Sequence, residues 1–337
     1  MKVMTPHLPD RLLFAAVNLW VRRRHKRLVR FCREHPERWA GMPWPALPRS
    51  VSAKFAWRKL FDHDPRFVLL SDKLAVRRWA KDEGVDVPFP RLLWEGTDAD
   101  AIPEALLAQD VVLKANHGSS MNIFPARTDM DDAAIRQRAA RWLRTRYGEA
   151  AQETAYLSIE PRLFVEESVG FGALEEIKFY TFGPEIGRIF RSRGRDTADE
   201  AATILLPDGA GGFEQGARSD VVDRTLDAPL PECWDRLVDL ARRIGGQFDQ
   251  VRVDFLVEGE RFWLGELTLY TQKGYIPAPE AEAGGWLAEM WDIRRSRAFE
   301  SAPRGWRGAY LRRLKRHLER EAAARHGAAA EGQLTSL

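Results

Sequence analysis

Val251 to Tyr270 reads VRVDFLVEGERFWLGELTLY, two runs of period-2 alternation around Glu258-Gly259-Glu260. Such a pattern predicts a β-hairpin. Successive side chains of a strand point to opposite faces. Val251, Val253 and Phe255 therefore share one face of the first strand, and Arg252 and Asp254 the other. In the second strand Trp263, Leu267 and Leu269 form the apolar face, opposite Glu266 and Thr268. A three-residue loop pairs Val257 with Arg261 and sets Asp254 across from Leu264. Glu266 is then a diagonal neighbour of Asp254, roughly 7–8 Å away. Two carboxylates converging with an arginine suit a Mg²⁺ site for a bound phosphate. The same residues also suit a solvated outer face.

The 337-residue chain is long enough for two or three lobes, and 45% hydrophobic residues supply a sizeable core. Its 52 basic and 49 acidic residues leave a net charge of +3, too balanced to argue for a nucleic-acid partner, and the basic excess lies at the two ends. Cys32 and Cys233 are the only cysteines and make neither a disulfide framework nor a zinc site, which fits a reducing compartment. Leu12 to Val21 is apolar, but Asn18 interrupts it and no small-residue cleavage site follows, so no signal peptide is read here. The run is about half the length needed to span a bilayer. These features predict a cytoplasmic protein.

Asp10 to Glu34 has a helical pattern, with Asp10 as N-cap. Its apolar half (Leu12, Leu13, Phe14, Val17, Trp20, Val21) runs into Arg22-Arg23-Arg24-His25-Lys26-Arg27. A basic amphipathic helix of this kind either rests peripherally on an anionic membrane, at the inner face for a cytoplasmic protein, or packs on the body with its charges in water. Gly41 to Ser50 is a Pro-rich connector. Ser52 to Leu60 and Ser71 to Gly84 follow as helices, the second capped by Ser71 or Asp72. Strands are expected near Pro88 to Leu93, Asp110 to Ala115, Leu157 to Glu167, Glu175 to Phe182 and Gly187 to Arg195. Helices are expected at Asp131 to Tyr147, Pro231 to Gly245, Gly285 to Arg297 and Trp306 to Arg325, the last dozen residues being frayed. Gly209 to Gly216 reads as a mobile loop, and a loop with Pro277 and Pro279 follows Lys273. Antiparallel hairpins mixed with helices define an α+β fold rather than a doubly wound parallel sheet.

Four further stretches carry chemistry. In VVLKANHGSSMNIF, Val111 to Phe124, an apolar strand delivers Lys114 to the turn His117-Gly118-Ser119-Ser120. Backbone N–H groups of such a turn can wrap phosphate oxygens, although ordinary hairpin turns look alike, and GxxxxGK[ST] is absent. Lys73 sits with Asp72 at a helix start, where a lysine is unfavourable unless an anion binds nearby. Glu166 and Glu167 end a strand, where carboxylates receive ribose hydroxyls or simply face solvent. Lys178 lies between apolar strand residues, a position from which lysines usually snorkel outward. No histidines are paired at metal spacing, and GxSxG and GxGxxG are absent.

In order, SDKLAVRRW, VVLKANHGSSMNI, RLFVEE, EEIKFYTF, VRVDF and LGELTLY resemble the ATP-grasp superfamily. More narrowly they resemble its TupA-like branch, named for a teichuronopeptide biosynthesis protein, over Ser52 to Ile276. The resemblance implies an ATP-grasp fold, with a nucleotide cleft between two α+β lobes and helical extensions at both ends. The implied division is a basic helix and connector at 1–50, an N-terminal lobe at 51–110 and a small lobe at 111–170. A large lobe with the Mg²⁺-binding hairpin follows at 171–300, then a basic helix and tail at 301–337. By the same resemblance Lys73 and Lys114 contact ATP phosphates, and His117, Gly118, Ser119, Ser120 and Asn122 form the loop closing over them. Glu166 and Glu167 lie near adenine and ribose, Asp254 and Glu266 bind Mg²⁺, and Arg252 and Lys178 serve the transferred phosphate or the substrate carboxylate. Many members carry Asn two residues after the metal glutamate. Here that ligand position is Thr268, a poorer Mg²⁺ donor, so one ion is expected and a second stays open.

The implied reaction is ATP-dependent carboxylate–amine ligation through an acyl phosphate. Its implied setting is polysaccharide biosynthesis, joining an amino acid or peptide to a sugar carboxylate. A kinase acting on a hydroxyl and a non-catalytic nucleotide-binding scaffold are the alternatives. Arg188, Arg191, Arg193 and Arg195 suit an anionic glycan, or equally a solvated strand.

Overall fold

The computed structural model describes residues 6–35, 44–170, 174–195, 197–216, 222–276, 285–300 and 303–334, with side chains through Arg325. Pro277 and Pro279, and Gly41 to Pro43 of the connector, lie outside the described residues. The chain opens with α1 (Leu8–Arg24) and α2 (Lys26–Glu34), broken at His25. Helix α1 begins after His7, not at Asp10, because Pro9 is compatible with a helix's first turn. Asp10 instead points inward and is buried.

Next come α3 (Val51–Phe61), α4 (Arg66–Ser71) and α5 (Ala75–Asp82). Ser71 ends α4 rather than capping α5. Asp72 supplies the cap, its Oδ1 accepting the N–H groups of Leu74 at 2.9 Å and Ala75 at 3.2 Å.

A four-stranded sheet follows, built from β1 (Leu92–Gly96), β2 (Val111–Ala115), β3 (Asn122–Ile123) and β4 (Leu163–Glu167). Its order is β1-β4-β2-β3, all neighbours antiparallel. β1 is an edge strand of this sheet although it precedes the 111–170 span. Helices α6 (Glu104–Leu107) and α7 (Asp132–Leu143) accompany the sheet, and α7 stops before Tyr147. Tyr156–Ser158 is a 3₁₀ turn and not strand, with Tyr156 and Ile159 buried in the large core instead.

The second sheet has six antiparallel strands in the order β10-β9-β5-β6-β7-β8. They are β5 (Glu175–Phe182), β6 (Glu185–Arg193), β7 (Ala201–Pro207), β8 (Phe213–Gln215), β9 (Val251–Glu258) and β10 (Arg261–Thr268). The Gly209–Gly216 segment is therefore a hairpin turn plus strand, since Phe213 to Gln215 pair with β7. Helix α8 (Trp234–Gly245) covers one face of the sheet with Leu237, Val238, Ala241 and Ile244, all at helical spacing. A Cβ on Gly245 would stand 2.5 Å from Thr181 Oγ1, so only glycine allows this approach of α8 to β5. The chain closes with short turns, including α9 (Leu287–Met290) where a longer helix was expected, and with α10 (Trp306–Leu334), which continues past Arg325. The observed class is α+β, as the pattern of hairpins and helices predicts.

Candidate nucleotide and metal site

Helix α8 takes one face of the six-stranded sheet, and the opposite face carries the charged residues. The hairpin register puts them in rows. Its loop is two residues, Gly259-Glu260, with Gly259 at φ +62°, so Glu258 pairs with Arg261 and Leu264 with Phe255. Phe262 and Leu264 then face the core, and Trp263 does not. A bulge between Leu264 and Glu266 reverses the alternation, and beyond it Glu266 stands directly across from Asp254 and Thr268 from Arg252. The expected Asp254–Leu264 pairing and the core position of Trp263 are thus corrected. A tight turn and an outward Glu266 need opposite parities, and the extra residue, Gly265, reconciles them.

Adjacent β5 extends both rows. Lys178 pairs with Asp254, and Tyr180 with Arg252. One row is Lys178–Asp254–Glu266, and the next is Tyr180–Arg252–Thr268. Arg252 grips Asp254 in a bidentate pair, with Nε 2.7 Å from Oδ1, and its Nη2 donates to Thr268 Oγ1 at 3.0 Å. Burial holds the Asp254 carboxyl above its ordinary value, with Arg252 and Lys178 opposing the shift and Glu266 adding to it. Lys178 Nζ lies 2.6 Å from Glu176 Oε2, an acidic partner the sequence pattern did not single out.

The small sheet contributes Lys114 and Glu166, diagonal neighbours across β2 and β4. Glu166 bonds both Lys114 and Arg77 and is thus a paired carboxylate. Glu167 is turned to Arg91, whose backbone N–H it accepts at 2.9 Å. Lys73 stands between the sheets. Its Nζ donates to the Gly118 carbonyl. Burial lowers its pKa, Glu266 opposes that shift, and Lys114 and Glu166 also act on it.

Asn116 holds this junction together. Its Nδ2 donates to Asp72 Oδ1 at 3.1 Å and to the Glu160 carbonyl at 3.0 Å, and its carbonyl accepts Lys73 N–H. Within the loop Ser119 and Ser120 are exposed, and Ser120 adopts φ +59°. Asn122 is exposed on β3. The side chain of His117 points inward. Its buried ring lies against Asn116 Oδ1 (3.2 Å) and the Trp142 carbonyl (3.1 Å), and burial lowers its pKa. Tyr147, whose phenol is pushed up to about 12 by burial, bonds Ser119 and packs on Gly118. Asn116 and Arg77 lie inside the quoted stretches without being singled out there, Tyr147 lies outside them, and only their contacts reveal all three.

Of the arginines on β6 and just after it, Arg188 and Arg191 are buried, and Arg193 and Arg195 are exposed. Arg191 bonds Glu175 (2.6 Å) and the carbonyls of Ala228 and Pro229, and Arg193 and Arg195 pair with Glu175 and Glu176. Arg188 is buried over the Tyr180 ring, which Arg252 also faces.

No group of three or more His, Cys, Asp or Glu gathers for a metal among the described residues. Two opposed carboxylates fit one Mg²⁺, an ion that keeps waters and takes its other ligands from phosphate. Thr268 fits less well as a ligand, because a neutral hydroxyl is a weaker Mg²⁺ donor than a carboxylate; its oxygen and both oxygens of Asp254 accept from Arg252 here.

A match of residues 53–290 to the TupA-like ATP-grasp family model places the chain in that family. No curated protein matches the sequence. Among solved structures, D-alanine–D-alanine ligase from Bacillus anthracis, complexed with ATP, is 13% identical at a TM-score of 0.38, over 75% of this chain and 67% of that one. ATP-grasp ligase PsnB, complexed with a phosphomimetic variant of a minimal precursor, Mg and ADP, is 14% identical at a TM-score of 0.39, over 79% of this chain and 66% of that one. Likenesses this distant do not define a substrate here. No helix among the described residues is long and apolar enough to cross a membrane.

Proposed function

We propose that the protein is an ATP-dependent carboxylate–amine ligase. In this reaction ATP phosphorylates a carboxylate, an amine attacks the resulting acyl phosphate, and amide, ADP and phosphate leave. The observation that carries the reading is the cross-strand pair Asp254 and Glu266 flanked by Arg252 and Lys178, with Lys73 within electrostatic reach of Glu266. Family membership supports it.

In this reading Asp254 and Glu266 hold Mg²⁺, which when bound neutralises phosphate charge. Lys73 and Lys114 orient the phosphates of ATP, and the turn carrying the exposed Ser119 and Ser120 excludes water from them. Arg252, fixed by Asp254 and Thr268, presents its guanidinium to the oxyanion that develops on the acyl carbon. Lys178 sits one strand away and positions the carboxylate. The activated carboxylate belongs to a sugar of a cell-surface polysaccharide and the attacking amine, the acceptor, to an amino acid or peptide, in a cytoplasmic setting.

The test is ATP consumption across a panel of amino acids and uronic-acid sugars. Turnover that needs both an amine and a carboxylate, with free phosphate released, is expected. Phosphate recovered on a substrate hydroxyl would replace ligation with a kinase reaction. Nucleotide binding unchanged by Asp254→Ala with Glu266→Ala, and no turnover in either form, would leave a scaffold.

A further inference from the structure

Helix α1 has two apolar faces. Phe14, Val17 and Val21 are 5%, 2% and 0% exposed and pack inward, Phe14 edge-on to Tyr310 of α10. Leu8, Leu12 and Leu19 are 66%, 65% and 47% exposed. At 3.6 residues per turn those three fall within about 40° of one another, on the side away from the core. Arg11, Arg22 and Arg23 are exposed along the edges of this stripe. The one acidic residue of the helix, Asp10, is withdrawn from the stripe, buried between Arg313 (3.0 Å) and Arg320 (2.9 Å). At the C-terminal end of α1, Trp306 is 45% exposed and meets Trp20 at 4.9 Å, with Arg307 over both rings.

We propose that this outer face of α1 docks in the plane of an anionic bilayer surface, with the three leucines in the acyl boundary and the flanking arginines at the headgroups. Long basic side chains beside an apolar stripe suit that interface, because the stems follow the hydrocarbon while the charges reach lipid phosphates. An exposed tryptophan at the edge has the same preference. A second copy of the chain fits the surface less well. A twofold contact through the stripe would bring the exposed arginines of both copies to one seam, where the helix offers no free acidic partner because Asp10 is buried and paired. The site is one of surface attachment, separate from the nucleotide site, and it stands whether or not the chain is a ligase.

The experiment is co-sedimentation of the full-length protein with phosphatidylglycerol/phosphatidylcholine vesicles and with phosphatidylcholine vesicles alone. The comparison variant is Leu8→Gln/Leu12→Gln/Leu19→Gln. Point changes on the outer face leave the inner packing intact, which removal of the whole helix would not, and a thermal melt verifies the fold. Wild type is expected to bind the anionic vesicles selectively and less so at high salt, with the triple variant losing at least about tenfold in partition. Absence of wild-type binding overturns the proposal, as does a triple variant that binds like wild type. A concentration-dependent dimer in vesicle-free buffer that the same substitutions abolish would overturn it too, assigning the stripe to a second copy.

Discussion

Thr268 and Asp254 both touch Arg252, yet they are expected to behave differently on substitution. Asp254 is one of two opposed carboxylates, so under the proposed function Asp254→Asn removes half the charge offered to Mg²⁺. A fall of about 100-fold or more in ATP turnover is expected, with a raised Mg²⁺ requirement. Thr268→Val removes only an acceptor for Arg252 and is expected to reduce turnover by less than about tenfold, with the Mg²⁺ requirement unchanged. Titrating Mg²⁺ against both variants checks this, and a raised requirement in the valine variant would make Thr268 a ligand. Away from the site, Asp62 is buried near the Arg58–Asp249 ion pair, and burial, with Asp249 adding to it, raises its pKa to about 7. Its folded pKa lies above its unfolded value of 3.8, so the folded state binds this proton more tightly. Stability is therefore lost as pH rises from about 4 to about 7. Asp62→Asn is expected to flatten that slope and to raise the melting temperature at pH 8 by roughly 2–4 °C. Of the candidate-site residues, Arg252, Asp254 and Glu266 were legible from strand alternation, Lys114 as a lysine in an apolar strand and Lys73 as a lysine at a helix start. Asn116 was not, since a buried asparagine is recognised only by the Asp72, Glu160 and Arg162 groups it bonds.

At the scale of elements, the β9–β10 hairpin decides which residues face the candidate site. Local alternation places Glu266 and Thr268 on the face of Arg252 and Asp254, and the structure agrees. It does not locate the bulge, because both a three-residue loop and a two-residue loop plus bulge satisfy the outer half of β10. The two registers differ at Trp263 and Leu264. With the observed register Leu264→Ala is expected to cost about 2–5 kcal/mol, as for a fully buried leucine. Half-buried Trp263, whose ring lies under Arg261, is expected to cost less on change to alanine. Chemical denaturation of the two variants measures the order, and a costlier Trp263→Ala would restore the regular register. Other elements differ for similar reasons. The β6 arginines look like a ligand surface in isolation, but Arg191 and Arg193 share Glu175 of the neighbouring strand.

Across the whole molecule, the family segment does not stand alone. Trp57 of α3 stacks on Phe299 at 5.3 Å, and Phe61 meets Tyr310 at 4.8 Å, so helices outside residues 53–290 complete a core that begins inside them. A chain cut to 53–290 is expected to melt at least about 10 °C lower than the full chain and to bind a hydrophobic dye. Equal melting temperatures would show that the terminal helices are dispensable for this core. The sequence by itself determined the α+β class, strand β5 to the residue, and the face on which Arg252, Asp254, Glu266 and Thr268 project. Those features depend on periodicity between near neighbours, and near neighbours are present in the sequence. Only the tertiary structure decided the register that opposes Asp254 to Glu266, the inward turn of His117, the Arg252–Thr268 bond and the outward leucines of α1. Each depends on which distant segment comes to lie alongside, and a linear pattern does not specify that partner.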